Sequence, residues 1–97
     1  MSTAVPTVAE VAPPAGGFAG PRKRSVTIAG HETSISLEPL FWAALEREAA
    51  MHDLPLNALV AQIDALRIRA AQPPNLASAL RTWLFDRHGA GARGGGA

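Results

Sequence analysis

The chain has 97 residues, no cysteine and a formal net charge of +1. That length bounds it to one domain. The missing thiols exclude a disulfide frame and a thiolate metal site, and the near-neutral charge gives no bulk electrostatic signal of a nucleic-acid or membrane-surface binder. Pro6, Glu10, Pro13 and Pro14 interrupt any secretory-type apolar run at the N-terminus. No stretch approaches the roughly 18 apolar residues of a membrane span. The expectation is a cytoplasmic protein with no membrane partner.

Residues 1–21 are rich in Ala, Pro, Val and Gly and lack periodicity, which predicts a disordered tail. Phe18 is the one side chain there suited to docking; the plainer reading is an unbound tail aromatic. Arg22-Lys23-Arg24 follows, read either as a solvated basic run or as an arm that contacts phosphates. From Ser25 to Ala29 the chain alternates, with Val26 and Ile28 on one side and Ser25 and Thr27 on the other. Gly30-His31 then suits a type II′ hairpin turn, with glycine first. In that register Ala29 pairs with Glu32, Thr27 with Ser34 and Ser25 with Ser36. The second strand alternates as well: Thr33, Ile35 and Leu37 oppose Glu32, Ser34 and Ser36.

The period then switches. Pro39 fits a helix's first turn, where its missing N–H is harmless. A helix is predicted over residues 39–51, with Phe41, Ala44, Leu45 and Ala49 as its apolar stripe and Glu48 at the edge. Trp42 lies off the stripe's centre and is expected to pack on the sheet, a partner subunit or a later helix. His52-Asp53-Leu54-Pro55 breaks the pattern. A second helix carries Leu56, Leu59, Val60 and Ile63 to about Arg67, with Asn57 in its first turn, where it suits local capping. Gln72-Pro73-Pro74 ends that run. Asn75 is an expected N-cap of a third helix bearing Leu76, Leu80, Trp83 and Leu84. Gly89 is the expected stop, with Arg87 and His88 at the negative end of the dipole. Residues 89–97 read as a glycine-rich tail. The predicted organisation is tail 1–21, domain 22–88, tail 89–97.

His31, His52 and His88 share no metal-ligand spacing with each other or with carboxylates. No serine has a nucleophile-elbow context and no glycine loop precedes a helix. The expectation is a non-enzymatic protein with no cofactor and no metal.

The order strand, helix, turn, helix resembles the ribbon-helix-helix family, which includes the Arc and methionine repressors. The residues that carry this are Thr33-Ser34-Ile35-Ser36-Leu37, the helix start at Glu38-Pro39, and the turn into Leu56-Asn57-Ala58-Leu59-Val60. The longer string from Lys23-Arg24-Ser25-Val26-Thr27-Ile28-Ala29-Gly30-His31 onward is similar to one bacterial branch with an upstream strand and a third helix. The resemblance spans Lys23 to His88. It implies an α+β fold in which an N-terminal β-hairpin or ribbon is followed by two core helices and a third C-terminal helix. It further implies an intertwined homodimer in which the strand Glu32–Leu37 pairs with its symmetry mate and the second helices pack across the two-fold axis. The dimer core would then hold Ile35, Leu37, Phe41, Leu45, Leu59, Val60 and Ile63.

The implied function is sequence-specific DNA binding and transcription regulation. Glu32, Ser34 and Ser36 would meet base edges, Arg22, Lys23 and Arg24 would meet phosphates, and Asn57 would contact the backbone from a helix N-terminus. The alternative is a dimer of the same fold that binds a protein, as antitoxin-like or adaptor members do. Two features favour it: the acidic Glu32, and a domain in which basic and acidic side chains balance. Sheet width adds a constraint. Two hairpins joined edge to edge give four strands about 4.8 Å apart, spanning about 14 Å before side chains. The major groove is about 12 Å wide.

Overall fold

The computed structural model describes residues 10–93, so the tail residues 1–9 and 94–97 lie outside it. Five elements follow in order: β1 (Arg22–Ile28), β2 (His31–Leu37), α1 (Pro39–Met51), α2 (Leu56–Ile68) and α3 (Leu76–Arg93). The strands form an antiparallel two-stranded sheet, and the three helices cover one of its faces.

The hairpin turn sits one residue earlier than glycine placement suggests. Ile28 pairs with His31, Thr27 with Glu32, Val26 with Thr33 and Ser25 with Ser34. The two turn residues are therefore Ala29 and Gly30, with φ of 50° and 83°. Two left-handed residues in succession mark a type I′ turn, whose twist matches that of paired strands, whereas the type II′ form needs only its first residue there. Holding a non-glycine residue left-handed costs roughly 1–2 kcal/mol. In this register the pairing continues to Arg22 opposite Leu37. Each β1 residue meets a β2 partner two positions earlier than expected, one full period of the alternation, so the inward and outward faces are those expected.

Glu38 stands outside α1 in an extended conformation, and Pro39 opens the helix. The helix closes through Asp53, which takes a φ of 60°. The Leu54 N–H donates to the Ala49 carbonyl at 2.9 Å and the Asp53 N–H to that of Ala50 at 3.1 Å. This is a Schellman closure with aspartate at the position glycine usually takes. At α2 the N-cap is Pro55, with no side-chain cap bond, so Asn57 does not serve as a cap. At α3 the predicted cap is in place: the Asn75 Oδ1 accepts from the Ser78 N–H at 2.8 Å. This helix runs through Gly89 to Arg93, beyond the expected stop. Glycine in a helix costs about 1 kcal/mol relative to alanine, which does not end a helix already propagating turn by turn. Arg87 accordingly does not cap a terminus; it reaches sideways to Glu48.

The core lies between the sheet and the helices. Val26, Ile28, Ile35 and Leu37 from the hairpin meet Leu45, Leu59, Val60, Ile63, Leu80 and Leu84. Of the residues expected in a dimer core, Ile35, Leu37, Leu45, Leu59, Val60 and Ile63 are buried within one chain, and Phe41 packs against that cluster half-buried. α3 makes this possible by bringing Leu80 and Leu84 into the cluster. Two cross-links hold α3 to α1 and its lead-in. Arg81 pairs with Glu38 at 3.0 Å, and Arg87 pairs with the buried Glu48 at 2.9 Å. Trp42 is also buried, on the sheet side of α1.

Candidate nucleic-acid interface

Strand alternation divides the hairpin into two surfaces. With the inner residues committed to the core, Lys23, Ser25 and Thr27 of β1 and Glu32, Ser34 and Ser36 of β2 are left exposed on the other side. Across the strands Lys23 lies opposite Ser36, Ser25 opposite Ser34 and Thr27 opposite Glu32. The surface is small and polar, with four hydroxyl groups able to donate or accept. Its two charges stand at opposite ends. At about 3.3 Å of rise per residue, Lys23 and Glu32 are separated by roughly 13 Å along the strands, beyond a Debye length in physiological salt. Glu32 therefore does not neutralise Lys23.

The basic run Arg22-Lys23-Arg24 is not a free arm. It is the opening of β1, and alternation sends its members in different directions. The Arg22 carbonyl accepts from the Trp42 indole N–H at 2.9 Å. The Arg24 guanidinium lies 4.6 Å from the centre of the Trp42 ring and pairs with Glu46 at 3.1 Å. Arg24 is thus engaged on the helix side of the sheet, and only Lys23 of the three belongs to the outer surface. Asn57 is exposed in the first turn of α2, in the helical layer rather than on the strand surface.

The indole bond, the stacking of Arg24, and the placement of Ser25 and Thr27 beside Ser34 and Ser36 were not singled out from the sequence as site features. The signal for the last was present, since the alternation runs back unbroken from Thr27 to Lys23. Glu38 links the sheet to α1. Its own backbone N–H, and then the Arg81 guanidinium, hold its carboxyl below the ordinary carboxylate value.

A second concave feature lies elsewhere. Pro14–Ala19 run beside α1 and α3, bounding an open groove of about 670 Å³ lined in part by Phe41, Leu84 and Phe85. Phe18 itself is 91% exposed. Among the described residues no group of three or more His, Cys, Asp or Glu side chains is placed to hold a metal ion, and no helix is long and apolar enough to cross a membrane.

Comparison with curated proteins and with solved structures returned no match. Comparison with protein families returned one described as a ribbon-helix-helix domain, matching residues 21–88. That match begins just before β1 and includes the hairpin, α1, α2 and most of α3. Covering well over half of the chain and agreeing with a strand pair followed by helices, it shows that the protein belongs to the ribbon-helix-helix domain family, whose members are typically non-catalytic, dimeric, DNA-binding regulators.

Proposed function

We propose that this chain is a DNA-binding transcriptional regulator that acts as a homodimer and engages DNA through its N-terminal ribbon. The observation that carries this reading is the outer surface of the hairpin. Ser25, Thr27, Ser34 and Ser36 stand exposed on a short two-stranded ribbon whose other side is closed by the core. A two-stranded ribbon is a shape the major groove admits, and hydroxyl groups suit base edges presenting either donors or acceptors. Lys23 supplies a phosphate contact at one end. Asn57, in the exposed first turn of α2, is a further backbone contact.

The dimer reading draws on α2. Its side away from the core carries Ala58, Ala65 and Ile68, which together bear no charge, and Ile68 is 59% exposed. Packing this surface against its symmetry mate covers apolar area without desolvating an ion. The mate adds to a core that one chain already closes.

Glu32 favours a second reading, a dimer of the same fold that binds a basic protein surface in place of DNA. Titrating the wild type and Glu32→Arg against random duplex DNA at two salt concentrations separates the two. For a DNA binder, wild-type affinity falls steeply with salt, and the variant binds more tightly because a carboxylate facing phosphates has been removed. Absence of binding by both proteins at low salt overturns the DNA reading in favour of the protein-binding module.

A further inference from the structure

We propose that the groove between α1 and α3 is a docking site for a peptide segment of another protein, one that carries an apolar anchor and a carboxylate. The proposal is independent of what the hairpin binds. No residue of β1, β2 or α2 lines the groove, so engaging those elements leaves it accessible.

The walls suit an apolar occupant. The chain has three phenylalanines, Phe18, Phe41 and Phe85, and all three line this groove. None belongs to the buried core, which is aliphatic apart from Trp42. Phe85 is 77% exposed, and Leu40, next to Phe41, is 57% exposed. Large apolar side chains clustered in the open mark an interaction surface. The outer wall has a defined shape. The Gly17 N–H donates to the Pro14 carbonyl at 2.8 Å, and Gly16 has a φ of 80°, as a type II turn requires at its third residue.

The form of the groove suits a chain. Beyond Phe41 and Phe85 a second hollow of about 480 Å³ shares both rings and is lined also by Arg81, Thr82 and Asp86. The two hollows make an elongated open trough, whereas small-molecule sites enclose most of their ligand.

Charge decides the chemistry of the occupant. Arg81 meets Glu38 and Arg87 meets Glu48, so α1 and α3 run in the same direction and bring Arg47 and His88 to one end of the groove. Glu38 is the single carboxylate in the lining, and Arg81 already pairs with it. Arg47 is exposed and forms no ion pair among the described residues. Its guanidinium is therefore unmatched, and such a group takes a carboxylate through paired N–H donors. A second copy of this chain is a poorer match. A two-fold contact sets a surface patch against itself, which here brings like charge toward like charge.

The test uses the full chain. Random peptides displayed on phage are selected against it, and the enriched ones are synthesised and titrated by fluorescence anisotropy. They are expected to share an aromatic or aliphatic anchor and an Asp or Glu. Phe85→Ser should weaken them about tenfold or more. Met51→Ser, likewise at an exposed apolar position but outside the groove, should leave affinity unchanged. Changing the peptide carboxylate to its amide should cost about fivefold on the wild type and nothing on Arg47→Gln. Thermal melts establish that all three variants fold. The proposal is overturned by absence of enriched peptides, by wild-type affinity in Phe85→Ser, by an equal loss in Met51→Ser, or by the same amide cost on Arg47→Gln. A lower sedimenting mass for Phe85→Ser than for the wild type assigns the groove to a second copy. Displacement of the selected peptides by a synthetic peptide of residues 1–13 assigns it to the chain's own N-terminal segment. Either result also overturns the proposal.

Discussion

The inner and outer surfaces of the hairpin share one backbone and one alternation, yet they face opposite constraints. Inward, Val26, Ile28, Ile35 and Leu37 meet three helices and are almost without solvent exposure. Outward, Lys23, Ser25, Thr27, Glu32, Ser34 and Ser36 touch solvent. The inner surface stabilises the domain by removing apolar area from water, roughly 1.5–3 kcal/mol for each large side chain. The outer surface contributes little to stability, so its chemistry is free to serve recognition. The contrast also falls between adjacent residues: Arg24 is tied to Trp42 and Glu46, while its neighbour Lys23 is not part of that cluster.

The sharpest way to break the comparison is to put the same charge on each surface. Ile35→Asp places a carboxylate at a position 3% exposed, with no partner there to offset its desolvation. It is expected to abolish cooperative unfolding in a circular-dichroism melt. Ser36→Asp, one residue later but facing outward, is expected to change stability by no more than about 0.5 kcal/mol. Comparable losses from the two would mean that the outer surface is also packed.

A smaller effect is expected from Trp42→Phe. It keeps a ring in the core but removes the N–H that holds the Arg22 carbonyl. The expected cost is about 1 kcal/mol in urea denaturation, with faster amide exchange near Arg22 as the local signature. Unchanged exchange there would show that the indole does not secure β1. Comparing Arg24→Ala with Lys23→Ala is finer still. The Arg24 ion pair and ring contact are both half-exposed and modest, together about 0.5–1 kcal/mol, whereas Lys23→Ala is expected to be close to neutral. On the proposed DNA-binding reading the order should reverse for DNA affinity, because only Lys23 belongs to the outer surface.

The smallest expected effect concerns the junction between sheet and helix. Glu38 has a carboxyl held below its ordinary value, first by its own backbone N–H and then by Arg81. A carboxylate with a lowered folded-state pKa stabilises above its unfolded-state pKa, and that contribution disappears as pH falls through the folded value. Glu38→Gln should therefore lower the melting temperature slightly at neutral pH, and the gap between wild type and variant should close on acidification below the normal carboxylate range. A gap independent of pH would assign the loss to packing rather than charge.

Much of the architecture was legible because it rests on local periodicity. The switch from a period of two to a period of 3.6 at Glu38-Pro39 separates strand from helix, and Asn75 marks the start of α3 through a bond spanning only three residues. The division of the hairpin into apolar and polar surfaces survived an error in register, since moving the turn by one residue shifts the pairing by two, a full period of the alternation, and leaves each side chain on its own surface. The turn itself was misplaced because glycine at the second position of a type I′ turn and glycine at the first of a type II′ turn differ by one residue in sequence. Gly89 misled for a related reason: a glycine can end a helix or be carried within one, and neighbouring turns decide which.

The sequence by itself determined what depends on spacing: the element order, the family, and the polar side of the strands that includes Ser34 and Ser36. The tertiary structure alone decided what depends on chain segments far apart in sequence. It brought Trp42 against Arg22 and Arg24, which removed Arg24 from the basic run, and Arg81 and Arg87 against Glu38 and Glu48. It also brought Leu80 and Leu84 under the hairpin, closing the core within one chain. Periodicity reports which way a side chain points from its own element, but it carries no information about which distant element will meet it there.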